Sequence, residues 1–104
     1  MIVRIGRSRK NDVVIDNMTV SREHAVLEIV DGNIVLKDVG SKSGTYIAVD
    51  GRLEKTTYKI VSEDDTIQLG SEKLKVKTII EQASRKNREA VYERNPITGE
   101  IVKK

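Results

Sequence analysis

The 104-residue sequence has no cysteine, no tryptophan and no phenylalanine, a single proline (Pro96) and a single histidine (His24). The missing cysteine excludes disulfide scaffolds, Cys-ligated zinc and thiol nucleophiles. One histidine cannot build a multi-His metal site within one chain. With only three aromatic residues, Tyr46, Tyr58 and Tyr92, any core has to be aliphatic. No apolar run is long enough to cross a membrane. No Ser/His/acid or paired-carboxylate set forms, so no enzymatic chemistry is expected. The acidic run Glu63-Asp64-Asp65 lacks the spacing and the glycine of an EF-hand loop and reads as a solvated turn. No metal and no cofactor is implied.

The aliphatic residues that are present are mainly β-branched: 13 Val and 12 Ile stand against 5 Leu. Side chains stiff at χ1 suit a pleated surface better than a helix, so composition points to an all-β fold. Short apolar alternations recur about every 8–12 residues between turn residues, the signature of a sandwich or barrel. The pattern predicts strands at Ile2–Ile5, Val13–Ile15, Ala25–Val30, Asn33–Asp38, Thr45–Ile47, Gly51–Lys55, Lys59–Ile60, Thr66–Leu69 and Glu72–Thr78. Asp31-Gly32 and Asp50-Gly51 are tight-hairpin signals, and Gly70-Ser71 is a third turn.

Residues 81–104 differ in character. Glu81–Arg94 has thin apolar support for a short helix, and Asn95-Pro96 and Thr98-Gly99 are turn signals. The chain thus divides into a domain over 1–80 and a basic C-terminal tail over 81–104, partly helical or flexible. Residues 1–80 carry 13 Lys/Arg against 12 Asp/Glu, and the tail 6 against 4. A nearly neutral body leaves no broad nucleic-acid footprint. The opening residues read as a strand rather than a signal peptide, and with the missing cysteine this gives an expectation of a cytoplasmic location.

Three loop segments gather the chemistry. Gly6-Arg7 ends the first strand, Ser21-Arg22-Glu23-His24 precedes the third, and Asp38 to Thr45 joins two strands around Ser41-Lys42-Ser43-Gly44. Arg7, Arg22 and Lys42 are cations on separate loops. Ser21, Ser41 and Ser43 are hydroxyl donors, and Gly6, Gly40 and Gly44 free the backbone to turn and present N–H groups. Such a set suits a dianionic oxygen cluster, and Arg adds a planar fork that grips two oxygens. Loops at one end of a sandwich can meet, so the residues point to an anion site, most naturally for phosphate. The same pairs also serve as ordinary turns and solvated charges. His24, one residue before a strand, reads as a brace for its loop.

Taken in order, Ile5-Gly6-Arg7, Asn11-Asp12-Val13-Val14-Ile15, Val20-Ser21-Arg22-Glu23-His24-Ala25, Leu36 to Thr45 and Asp64-Asp65-Thr66-Ile67-Gln68-Leu69-Gly70 resemble the forkhead-associated (FHA) domain family over about residues 1–80. The resemblance implies an FHA/SMAD-like twisted β-sandwich of two mainly antiparallel sheets that binds phosphothreonine peptides through loops at one end. It implies that Arg7 holds the phosphate and that Ser21 donates its hydroxyl and backbone amide. Arg22 and Lys42 would contact phosphate or peptide, while Gly6, Gly44 and His24 shape the loops. The partner would be a phosphothreonine-containing protein in Ser/Thr kinase signalling. The sequence departs from the family where Ser43 replaces the usual Asn, which ties the peptide backbone to two loops. That departure keeps open a scaffold that works without phosphate.

The tail segment from Arg94 to Gly99 resembles the β-arm tip of HU-type histone-like proteins, where the Pro wedges between base pairs. With Arg85, Lys86, Arg88 and Arg94 it leaves a DNA-associated role as an alternative; the match is short, and a plain turn is the simpler reading. Thr98, three residues before Ile101, offers self-association: phosphorylated, it could dock into the Arg7/Ser21/Arg22 site of another copy or of its own.

Overall fold

In the computed structural model of the chain, residues 1–93 are described, with side chains through residue 85. The tail calls at Arg94, Asn95-Pro96, Thr98 and Ile101 lie outside the described residues.

Alternation along each strand sets the architecture. In β1 (Ile2–Gly6) Val3 and Ile5 turn inward while Ile2 and Arg4 face water. The same period holds in β3 (Ala25–Val30), through Ala25 and Leu27, and in β4 (Asn33–Asp38), through Ile34 and Leu36. With β2 (Val13–Val14) and β7 (Tyr58–Val61) these strands form one sheet, in the order β2-β1-β3-β4-β7. A second sheet runs β6-β5-β8-β9, from β5 (Thr45–Val49), β6 (Arg52–Lys55), β8 (Thr66–Leu69) and β9 (Glu72–Lys75). Every pairing is antiparallel except β1 with β2. The two inner faces close on Ile5, Leu27, Leu36, Ile67 and Leu69, all without measurable exposure.

The turns follow the residues that make them. Asp31 and Gly32 sit at φ 52° and 80°, and Asp50 and Gly51 at 51° and 78°. Two successive positive φ values are what a type I′ hairpin needs. Antiparallel order then sorts the loops. The starts of β3 and β5 and the ends of β1 and β4 lie at one end, and the turns at 31–32, 50–51 and 62–65 lie at the other.

The C-terminal boundary differs from the sequence reading. The alternation Leu74, Val76, Thr78 predicts a strand to Thr78 and a helix from Glu81. Instead β9 stops at Lys75, and α1 runs Val76–Glu93. The signal that wins is Val76, Ile79, Ile80, Ala83, spaced i, i+3, i+4, i+7. Val76 and Ile79 are fully buried and Ala83 nearly so, packed with the sandwich core. The first helical amides are satisfied by the β7–β8 turn: Val76 N–H donates to the Asp65 carbonyl (3.0 Å) and Lys77 N–H to that of Glu63 (3.1 Å). Among the described residues no helix is long and apolar enough to cross a membrane.

Because Ile79 is buried in the core, Ile79→Ala should destabilise the domain by about 2–5 kcal/mol. Urea denaturation checks this; an unchanged midpoint would mean that the helix merely rests on the surface.

Candidate phosphopeptide site

The loop end is assembled by backbone contacts. Arg7 N–H donates to the Ser21 carbonyl (2.9 Å) and Ser8 N–H to that of Arg22 (3.2 Å), so the β1–β2 loop lies along the segment that enters β3. Gly6 is required by that approach. A methyl group in its place would overlap the Arg22 carbonyl and crowd the Asn11 amide. Asn11, 3% exposed, holds the same contact from below: its Nδ2 donates to the carbonyls of Ser8 (2.8 Å) and Arg22 (2.7 Å).

His24 joins this pair of loops to the third. Its ring is fully buried at the start of β3. Nδ1 accepts the Ser21 amide (3.0 Å), which places the ring proton on Nε2, facing the Gly44 carbonyl at 2.9 Å. Gly44 itself sits at φ 92°, in the left-handed region. The Ser21 amide is therefore engaged inward. What Ser21 offers outward is its hydroxyl, whose oxygen already accepts the Lys42 amide (3.1 Å). This corrects the expectation that both Ser21 groups face a phosphate.

The third loop is held by Asp38. Its Oδ1 accepts the amides of Gly40 (2.7 Å) and Ser41 (2.9 Å), and its Oδ2 the hydroxyls of Ser41 (2.5 Å) and Thr45 (2.7 Å). Ser41 Oγ in turn accepts the Gly44 amide (3.1 Å). Burial pushes the Asp38 carboxyl up, but the four hydrogen bonds outweigh it and lower the pKa from 3.8 to about 2. On the far side of Ser21, Thr19 Oγ1 meets Asn17 Oδ1 (2.6 Å) and accepts the Ser71 amide (2.9 Å), tying this loop to the β8–β9 turn.

Arg7, Ser21 and Lys42 are thus brought to one rim. Arg7 is half-buried, and its Nε donates to the Val20 carbonyl at 3.0 Å. That bond aims the guanidinium and leaves its two Nη groups without a protein acceptor among the described residues. Arg22, Lys42 and Ser43 are exposed, and no described residue bonds the side chain of any of the three. The sequence reading gave no role to Asn11, Asp38 or Thr45. The signals for them were an Asn three residues after Ser8, and Asp38 set three before Ser41 and seven before Thr45, a spacing suited to side-chain bonds with a turn's own backbone.

A carboxylate held near 2 in the folded state and 3.8 in the unfolded state stabilises above about pH 4. That stabilisation is lost as pH falls through the interval between them, about 1–2 kcal/mol after allowing for partial exposure. Asp38→Asn should lower stability at pH 7 and flatten the loss between pH 4 and pH 2. Chemical denaturation of both chains across that range is the check; parallel curves would remove Asp38 from its role.

The comparisons with known proteins agree with this fold. The family model of the FHA domain covers residues 3–70. The oxoglutarate dehydrogenase inhibitor of Corynebacterium diphtheriae is 36% identical over 69 residues, 66% of this chain and 46% of that protein. The glycogen accumulation regulator GarA of Mycolicibacterium smegmatis is 33% identical over 69 residues, 66% of this chain and 41% of its own. The chain therefore spans less than half the length of these curated relatives. Among solved structures, Mycobacterium tuberculosis EmbR in complex with a low-affinity phosphopeptide superposes with a TM-score of 0.63 at 29% identity, covering 71% of this chain and 19% of that one. The MEK1 FHA domain in complex with a HOP1 phosphothreonine peptide gives 0.59 at 30% identity, covering 72% and 78%. With its β-sandwich, its motif order and its braced loop end, the chain belongs to the FHA domain family.

Proposed function

We propose that the chain is a non-enzymatic module that binds phosphothreonine-containing proteins, and that its partner is the product of a Ser/Thr kinase. The observation that carries this is the Arg7 guanidinium. It is oriented by one bond to Val20, and its remaining donors are offered at a rim shared with the Ser21 hydroxyl and the Lys42 backbone. A guanidinium presented this way suits bidentate contact with two phosphate oxygens. Ser21 Oγ–H supplies a further donor, Arg22 a backbone amide that has no acceptor among the described residues, and Lys42 a charge beside it. Ser43, exposed at the loop tip, reaches the peptide backbone through its hydroxyl. The relatives are regulators, and two of the matching structures hold phosphopeptides, which supports the same reading. The binding unit comprises residues 1–80, with the first turns of α1 as packing support, and 81–104 form the tail.

Titration of the purified chain with a phosphothreonine peptide library, against the same peptides unphosphorylated, tests the reading directly. Equal binding of the two sets would show a scaffold indifferent to phosphate. The same titration on the chain phosphorylated at Thr98 reports whether the tail fills the site. Arg7→Ala should weaken phosphopeptide binding about 10- to 150-fold, the equivalent of a lost charge-assisted contact, with the fold retained. Binding as tight as that of the parent would place the phosphate elsewhere. Ser43→Asn should tighten the same binding by about 2- to 10-fold, the worth of one net hydrogen bond. No gain would mean that the Ser43 hydroxyl already makes the equivalent contact.

A further inference from the structure

The two sheets carry their surface charge differently. On the outer face of the first sheet, Lys37 is neutralised: its Nζ lies 3.0 Å from Glu28 and 5.6 Å from the centre of the Tyr58 ring. On the outer face of the second sheet no such compensation occurs. The register places Lys55, Tyr46, Gln68 and Lys73 in one row across β6, β5, β8 and β9, with Lys75 one step further along β9. None of the outward positions on these strands is a carboxylate. Glu54 and Glu72 alternate to the other side, and Glu72 already accepts from Asn17. None of the three lysines has an ion pair among the described residues.

The row abuts the candidate site. Tyr46 Oη donates to the Ser43 carbonyl (3.2 Å), Lys55 Cε lies 3.2 Å from the position a Cβ would take on Gly44, and Gln68 donates to the Gly70 carbonyl (2.8 Å) at the same end. Three inter-strand steps separate Lys55 from Lys73, roughly 14 Å, which an extended peptide covers in about four residues.

We propose that this face selects partners whose phosphothreonine is flanked, on one side only, by an acidic stretch of about four residues, which crosses the Lys55–Tyr46–Gln68–Lys73 row. The inference rests on the phosphothreonine reading above and adds the chemistry of the flanking sequence. The lysines supply the charge, and Tyr46 supplies a flat apolar surface between them. The one-sidedness follows from geometry, since the row leaves the loops toward the second sheet, whose outer face carries three lysines and no carboxylate, whereas on the first sheet Lys37 is paired with Glu28 and Arg4 is the one other outward cation on its strands.

Fluorescence anisotropy with four labelled phosphothreonine peptides tests this: neutral flanks, three Glu on the N-terminal side, three Glu on the C-terminal side, and Lys on whichever side proves preferred. One acidic peptide should bind about 3- to 10-fold more tightly than the neutral one, at one to several-fold per exposed ion pair. The advantage should shrink as salt rises from about 0.05 to 0.5 M. Lys55→Glu/Lys73→Glu should leave the neutral peptide within about twofold, erase the acidic advantage and favour the Lys-flanked peptide. Three results would overturn the proposal: equal binding of neutral and acidic peptides, equal gains from acid on either side, or an acidic advantage that survives the double reversal. A duplex oligonucleotide that displaces the acidic peptide and loses affinity in the same variant would make the face a nucleic-acid surface instead, and would also overturn it. If no phosphothreonine peptide binds at all, the functional reading falls and this inference with it. Binding that Arg7→Ala abolishes but that ignores flanking charge sinks this inference alone.

Discussion

The buried imidazole of His24 is the contact on which the loop end depends. It accepts from Ser21 on one loop and faces the Gly44 carbonyl of another, 20 residues away in sequence. Few side chains can do this. The position calls for one acceptor and one donor on opposite edges of a short, rigid, uncharged group, fully removed from water. A carboxylate has no donor to give when ionised, and an amide on a flexible stem would lose more rotamer freedom to make the same pair of bonds. With the ring in place, the hydroxyl of Ser21 faces outward and the Lys42 amide is drawn onto it. Donors from two separate loops thereby become one rim.

A second hub acts within the third loop. Asp38 gathers two amides and two hydroxyls, and Ser41 relays the network to Gly44, the residue whose carbonyl meets His24. The two hubs therefore converge on one residue, Gly44, one through its amide and the other through its carbonyl. Stiffness there is stiffness at the rim. This is the sense in which the site is preorganised: the cost of ordering the loops is met in folding, before any ligand arrives.

Much of this end was open to reading from the residues. Gly6, Arg7, Ser21 and His24 stand in an ordered set, and at the opposite end the Asp-Gly pairs announced their turns. What stayed hidden had physical causes. The helix start was masked because Leu74, Val76 and Thr78 continue a period of two through residues that also begin a period of 3.6, and no glycine or proline marks the change. Asn11 and Asp38 are polar residues whose partners are mainly backbone atoms, and a sequence does not display which carbonyl or amide will pass within reach. Charge resists reading from totals. A body of 13 cations and 12 anions looks neutral, and the loop end itself is mixed: Arg7, Arg9, Lys10, Arg22 and Lys42 share it with Asp12, Asp16, Glu23 and Asp38. What the rim offers an anion is the placement of Arg7 and Lys42, not the charge of one whole end.

Ser43 shows how framework and recognition are separated. No bond that shapes the third loop uses its side chain; the loop is closed by Asp38, Ser41, Thr45 and Gly44, and the Ser43 carbonyl is held by Tyr46. Position 43 can change without loosening the rim, so a departure from the family there leaves the fold intact. The same bond has a second consequence. By anchoring Ser43, Tyr46 fixes the place where the rim passes into the lysine-bearing face of the second sheet. On the proposed reading, a peptide that leaves the phosphate contacts in that direction would meet this ring with Lys55 beside it. On the same reading, recognition on that side is a matter of surface already set by the β5 register, with the Ser43 hydroxyl offered to the peptide backbone where it would cross.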